Sequence, residues 1–285
     1  MRLRQIIRDS ISLSFYPIEH KIIEPREHPF APPIFIVGSP RSGSTLLYQV
    51  LTRRFQLCYF SNLMMKFPKS AASIAFLVKP FGGCDSPAQY ESQYGETVGW
   101  RSPSQGREFW DTWLKPYPHS ILVDDVSQKN RRRIVNTILA IQRAYSMPFI
   151  NKWPRNSLRM DLLAALFPRV FFVHMTRNRD AMISSICRAR AAICQEGSGW
   201  FSVKPDGYQE ILELEELTQV RWQIDTIGEK IADSSSRIDK ARITRVTYED
   251  LVACPESVAQ QVANAYYSAT FYTLRDRHSL PGSFS

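Results

Sequence analysis

Short, uninterrupted apolar runs alternate along the chain with stretches of helical period. Ile34–Val37 is wholly apolar, and Thr45–Arg54 behind it sets Leu46, Leu47, Val50 and Leu51 on one helical face. The pair predicts a buried strand followed by a helix. The succession recurs in PFINK (148–152) followed by a helix through Leu158, Leu162 and Leu166, and in VFFVHM (170–175) followed by a helix from about Asp180 to Cys194. It recurs once more in RITRVTY (242–248), where the TYED stretch opens a helix with acidic residues in its first turn, as the helix dipole favours. Alternation of this kind predicts an α/β fold with a parallel sheet covered by helices on both faces. Residues 56–120 break the alternation with scattered Gly, Pro and aromatics and read as a lid-like insertion. Neither an internal repeat nor a low-complexity tract is present, so one domain spanning 1–285 is expected.

The first strand runs into PPIFIVGSPRSGSTLLYQVL (32–51), in which four residues separate Gly38 from Gly43. A strand, a glycine-containing turn and a helix N-terminus together aim several backbone N–H groups at one anion. Ser42, Ser44 and Thr45 add hydroxyl donors. In a nucleoside-triphosphate loop the residue after the second glycine is a lysine reaching the β- and γ-phosphates. Here that residue is Ser44, and the cation within the turn is Arg41. The shift describes a cradle for a shorter phosphate chain with a cation aimed at the bond being broken. The competing reading is an ordinary Gly/Ser turn.

Charge agrees with an anionic partner: Lys and Arg number 36 against 27 Asp and Glu, a formal net charge of +9. The five cysteines, Cys58, Cys84, Cys187, Cys194 and Cys254, lack CxxC spacing, and neither a signal-peptide core nor an apolar run near 18 residues occurs. A reduced, cytoplasmic protein without a structural zinc is expected. At the N-terminus, MRLRQIIRDSISLSF has the pattern of an amphipathic helix resting on the protein body or on a membrane surface, and residues 25–33 form a proline-rich linker. The NRRRIV run (130–135) lacks interleaved aromatics and reads as a solvated helix face rather than a nucleic-acid site.

PRSGSTLL resembles the 5′-phosphosulfate-binding loop of bacterial-type sulfotransferases that use 3′-phosphoadenosine 5′-phosphosulfate. FFVHMTRNRDAMISSICRAR is similar to that family's 3′-phosphate segment, NKWPRN with LLAALFP to its Lys-x-Pro segment and helix, and VTYEDLVACPE to its Tyr-Glu-Asp-Leu stretch. The resemblance implies a P-loop-like three-layer fold with a central parallel sheet, in which 56–120 is a largely helical, acceptor-binding insertion. It implies sulfuryl transfer to a hydroxyl of a small molecule, lipid or carbohydrate, leaving adenosine 3′,5′-bisphosphate and requiring no metal. Carried onto this sequence, Arg41 steadies the leaving phosphate, while Ser42, Gly43, Ser44 and Thr45 wrap it. Arg177 and Ser185, or else Ser184, hold the 3′-phosphate. An arginine at the C-terminal end of a strand beside a helix start is where open α/β sheets place ligand phosphates. Arg188 and Arg190 either extend that site or pair at the surface.

The general base is left open. The family's glutamate after the first helix is missing, because that region reads CYFSNLMM, so the candidates are Glu91, Glu96, Glu108, Asp111 and His119. Glu96 and Glu108 have aromatic neighbours that could wall a pocket, and Glu108 is preferred. His174 reads as a strand histidine, and Lys152 either faces the substrates or pairs with an acid. The chain's C-terminal stretch, TLRDRHSLPGSFS, differs from the family's Gly-rich basic loop, so either Arg275 and Arg277 take its place over the donor or the site is less closed. Two other functions fit parts of the pattern: a kinase-like P-loop enzyme, disfavoured by Ser44, and a catalytically silent donor-binding or membrane-associated scaffold.

Overall fold

A computed structural model describes residues 18–24, 31–85, 90, 95–193 and 199–284. The amphipathic N-terminal stretch, most of the proline-rich linker, Glu91 and Cys194 lie outside these residues. Four strands, β1 (Ile34–Val37), β2 (Ile150–Lys152), β3 (Phe171–Thr176) and β4 (Ile243–Thr247), form one sheet in the order β2-β1-β3-β4 with every pairing parallel. β1, β2 and β4 fall within the stretches that predict them, and β3 runs one residue past its own, to Thr176.

The core explains why β1 is central. Its four residues are buried, and the Phe35 ring packs among Trp110, Phe149, Phe167 and Phe172 at centroid distances of 6.1–6.4 Å. Aromatic surface of this kind carries much of the burial that drives folding. The chain leaves β1 for one neighbour, β2, and then crosses to the other side for β3. The connections therefore diverge after β1 and β3, and a crevice opens at their C-terminal ends, where such sheets bind ligands.

Helices follow each strand, with two differences from expectation. The helix after β2 is broken: a 3₁₀ turn, Pro154–Leu158, precedes the α-helix Met160–Leu166, with Arg159 between them. Three long helices, Gln128–Tyr145, Glu216–Arg237 and Pro255–Thr270, supplement the strand-led units. Each shows apolar residues at helical spacing, such as Ile134, Ile138 and Ile141 or Val220, Ile224, Ile227 and Ile231, all buried. In the 130–135 run, Arg131 donates to the Val126 carbonyl at 2.6 Å, and buried Arg133 donates to the Lys69 carbonyl at 3.0 Å. Arg133 thus ties segments together from a buried position, while Arg131 is half-exposed and Arg132 exposed, as a solvated face has them. No helix among the described residues is long and apolar enough to cross a membrane.

The 56–120 region contributes the short helices Asn62–Met65, Ala71–Val78 and Arg107–Trp113. Its first residues run along the edge of β2, where Ile150 N–H donates to the Cys58 carbonyl at 2.9 Å. The Ala71–Val78 helix is capped from a distant segment. Glu19, fully buried, accepts from Ala72 N–H at 3.2 Å, Ser73 N–H at 2.7 Å and Ser73 Oγ at 2.6 Å. These bonds satisfy donors that a helix start leaves open. Burial still holds the Glu19 carboxyl above its ordinary range.

Glu19→Ala should therefore strand three donors and lower stability by about 1–3 kcal/mol in urea unfolding. Glu19→Gln, which keeps an acceptor and sheds the buried charge, should cost less. Equal midpoints for wild type and Glu19→Ala would show that this cap contributes nothing.

Candidate active site

The loop after β1 is held from both sides. Both polar backbone groups of Gly38 are bound by one side chain: Ser157 Oγ accepts from its N–H and donates to its carbonyl, each at 2.9 Å. A Cβ at Gly38 would overlap the Met175 carbonyl of β3. Arg41, at the loop apex, has a left-handed backbone with φ of 65°, a conformation a non-glycine residue holds only when its surroundings enforce it. Gly43, with φ of 91°, caps the helix Ser44–Arg54, and a Cβ there would run into the Tyr248 ring. Ser42 Oγ is completely buried and has no hydrogen-bond partner. A donor left open in this way, beneath backbone N–H groups and a helix start, fits an anion.

Three cations surround this cradle. Arg41 Nε donates to Ser185 Oγ at 2.8 Å, linking the loop to the helix Arg179–Ile193. Arg177 donates to the Arg41 carbonyl at 3.2 Å and stacks 4.0 Å over the Tyr248 ring, with its buried Nε unpaired. Lys152, the last residue of β2, donates from Nζ to Thr45 Oγ1 at 2.9 Å. Among the described residues neither Lys152 nor Arg177 has a carboxylate within 4.0 Å. Burial first and the Arg41 charge second bring the Lys152 pKa down to about 7. Between that value and its ordinary 10.5 the unfolded chain holds a proton that the folded chain lacks, so this group makes stability rise with pH in that window. An anion in the cradle reverses the shift by restoring the amine's charge.

Other basic residues lie elsewhere. Ser185 is buried against the loop while Ser184 is exposed, and Arg188 is exposed as well. Arg190 turns to Gln219, at 2.9 Å, and lies 5.0 Å over the Trp200 ring. Arg277 donates to the Thr52 and Cys84 carbonyls, and Arg275 and Asp276 bond back to Gln56 and Phe55. These residues sit at the C-terminal end of the 11-residue helix whose other end forms the loop. At the usual rise that is about 16 Å from the loop, so Arg275 and Arg277 stand at the far end of the helix from the cradle.

Beside the cradle opens a cavity of about 820 Å³, lined among others by Glu96, Glu108, His119, Trp153, Arg155 and Trp200. The two meet at Gly95. A Cβ there would stand 2.8 Å from Nε2 of Gln105, a cavity residue, 3.3 Å from Lys152 Nζ and 3.4 Å from Thr45 Oγ1. Glu96 and Glu108 are both exposed on the cavity wall. Asp111 instead pairs with Arg155 at 3.0 Å. His119 is buried, and its Nδ1 accepts the Lys204 N–H at 2.7 Å, which leaves the proton on Nε2. Burial, then Arg155, Arg159 and Lys204, lower its pKa to about 3, so the ring is a neutral donor rather than a base. His174, on β3, is lowered to about 4 by burial and then by Arg245. Sequence reasoning passed over Tyr248 as a wall of the cradle, Ser157 as its anchor, and Tyr117, Trp200, Lys204 and Tyr208 as cavity residues. The aromatic density of GWFSVKPDGY (199–208) was the available signal for the last three.

A model described as the sulfotransferase family matches residues 32–266. Among solved structures, the fold is similar to sulfotransferase STF9 from Mycobacterium avium, with a TM-score of 0.59 and 14% identity over 89% of this chain and 67% of that one. It is also similar to sulfotransferase STF1 from Mycobacterium tuberculosis H37Rv, with a TM-score of 0.52 and 15% identity over 91% of this chain and 72% of that one. No curated protein sequence matches. Identities this low speak for the fold alone, an α/β architecture of P-loop-like type around a parallel sheet. The family match covers well over half of the chain, and on that ground the chain belongs to the sulfotransferase family.

Proposed function

We propose that the chain moves a sulfuryl group from 3′-phosphoadenosine 5′-phosphosulfate to the hydroxyl of an acceptor bound in the neighbouring cavity. The observation that carries this reading is the cradle that lacks a loop lysine yet is ringed by Arg41, Lys152 and Arg177, with Ser42 Oγ and Arg177 Nε buried and unpaired. An anion with two separated charged ends fits that arrangement better than a single triphosphate tail.

In this reading the loop N–H groups and the hydroxyls of Ser42, Ser44 and Thr45 hold the 5′-phosphate end of the donor. Arg177 and Ser185 hold the 3′-phosphate, Ser185 being favoured over Ser184 because it is buried beside Arg41. As the sulfur–oxygen bond to the 5′-phosphate breaks, Arg41 and Lys152 stabilise the charge left on that oxygen, the electrostatic term that dominates such transfers. Glu108, with Glu96 as the second candidate, takes the proton of the acceptor hydroxyl. Four free cysteines among the described residues, two of them buried, support a reducing, cytoplasmic setting.

Arg41→Ala should lower turnover ~100-fold or more while weakening donor affinity far less, because its charge meets an oxygen that grows more negative in the transition state. Unchanged turnover with weakened affinity would make Arg41 only an anchor. The donor is tested by calorimetry with two nucleotides. Adenosine 3′,5′-bisphosphate should bind roughly 30- to 1,000-fold more tightly than adenosine 5′-monophosphate, from about 2–4 kcal/mol of charge-assisted and neutral hydrogen bonding. Arg177→Ala should erase most of the difference. Equal binding of the two nucleotides by wild type, or a preference retained by the variant, refutes the 3′-phosphate assignment.

A further inference from the structure

We infer that the cavity beside the cradle takes an acidic saccharide, a hydroxylated ring that already carries a carboxylate or sulfate group. The inference rests on the sulfuryl-transfer reading only for the reaction that follows binding.

Charge is the first ground. Lys66, Arg107, Arg155 and Lys204 face the cavity against the acids Glu96 and Glu108. Arg155 and Arg107 share Asp111, at 3.0 and 3.9 Å, but Lys66 and Lys204 have no carboxylate partner among the described residues. Behind the wall lies Arg159, 1% exposed, which donates from Nε to the His119 carbonyl at 2.7 Å and leaves Nη1 and Nη2 unpaired. The Trp153 ring has Arg155 on one contact and Arg159 on another, each 4.9 Å from its centroid. Arg155 has Asp111 as its acid, but burying Arg159 with two nitrogens unpaired is costly. On the cavity wall itself, the cations with no carboxylate partner among the described residues are Lys66 and Lys204.

Shape and surface chemistry are the second ground. Tyr117 and Trp200 each meet Tyr208 edge to face, at 6.1 and 5.2 Å, forming an aromatic corner against which the C–H face of a sugar ring can stack. Asn62, Thr97, Ser104 and Gln105 supply hydrogen-bonding groups at other points of the wall, and His119 presents its remaining N–H. An acyl chain would need a continuous aliphatic channel. Apart from Met65 and two prolines, the apolar lining here is aromatic. Lys204 Nζ lies 4.9 Å over the Tyr208 ring. Aromatic faces, dispersed hydrogen-bonding groups and cations without a carboxylate partner among the described residues are the complement of a polyhydroxylated ring with a negative substituent.

The test is direct binding without donor, followed by calorimetry or by the fluorescence of Trp153 and Trp200. Two probes differ in one group: a disaccharide containing a uronic acid, and the same disaccharide with its carboxyl reduced to the alcohol. Wild type should bind the acid about 10-fold more tightly or better, with the margin shrinking as salt rises. Lys204→Gln, on the cavity wall, should remove most of that margin while leaving adenosine 3′,5′-bisphosphate binding intact, which shows that the variant is folded. Equal affinity for both probes, binding of neither at about 10 mM, or an undiminished margin in Lys204→Gln overturns the inference. If the acid binds as expected but no sulfuryl transfer follows when 3′-phosphoadenosine 5′-phosphosulfate is added, the transfer reading fails and the saccharide site stands.

Discussion

A buried amine with no carboxylate beside it among the described residues governs the site. Lys152 Nζ lies 2.9 Å from Thr45 Oγ1, in the first turn of the helix that the loop opens. The loop has serine where a triphosphate loop has its lysine, and the neighbouring strand supplies the cation instead. That delivery depends on the sheet. Parallel pairing of β1 with β2 sets Lys152 opposite Ile36, so that the amine emerges where the chain turns into the loop. A shift of one residue would turn the side chain to the other face of the sheet. Arg41 is close enough to help depress the amine's pKa, so the two cations repel each other, and an anion between them would offset that repulsion.

The opposite wall is organised by steric necessity. Gly38 presses against the end of β3 and Gly43 against Tyr248, so the loop, the β3 terminus and the start of the Tyr248–Ala253 helix pack as one unit. Tyr248 serves twice, as the surface Gly43 must fit and as the ring on which Arg177 lies. Asn178 N–H donates to Glu249 at 3.1 Å, and Asn178 in turn caps the following helix through Ala181 N–H at 3.0 Å. Ser185 is carried on that helix to Arg41. Preorganisation of this kind places charge before any ligand arrives, which is what a transfer reaction dominated by electrostatics requires.

Much of this was legible in the sequence because the two central strands, β1 and β3, leave short apolar runs, each followed by a helical period. The loop's identity was legible from Gly38, Gly43 and the missing lysine. The role of Lys152 was not, since it depends on strand register, and a lone lysine in PFINK carries no sign of what stands across from it. The long helices Gln128–Tyr145 and Glu216–Arg237 did carry apolar residues at helical spacing, but no strand introduces them, so a reading built on strand-led units passed over them. Arg275 and Arg277 had the charge to face the loop but lie at the far end of the loop helix, a placement set by where the chain returns and not by charge. Glu96 and Glu108 share one cavity although 11 residues separate them in the chain, a proximity produced by the fold of the insertion.

The most direct measurement of the charge-restoring cradle is the proton balance of ligand binding. An amine with a pKa of about 7 is roughly nine-tenths neutral at pH 8, and a phosphate bound beside it returns it to the charged form. Titrating adenosine 3′,5′-bisphosphate at pH 8 in buffers of different ionisation enthalpy should show net proton uptake on binding, falling to nearly none in Lys152→Met. No uptake by wild type, or the same uptake by the variant, would contradict the assignment of Lys152 as the cation that replaces the loop's missing lysine.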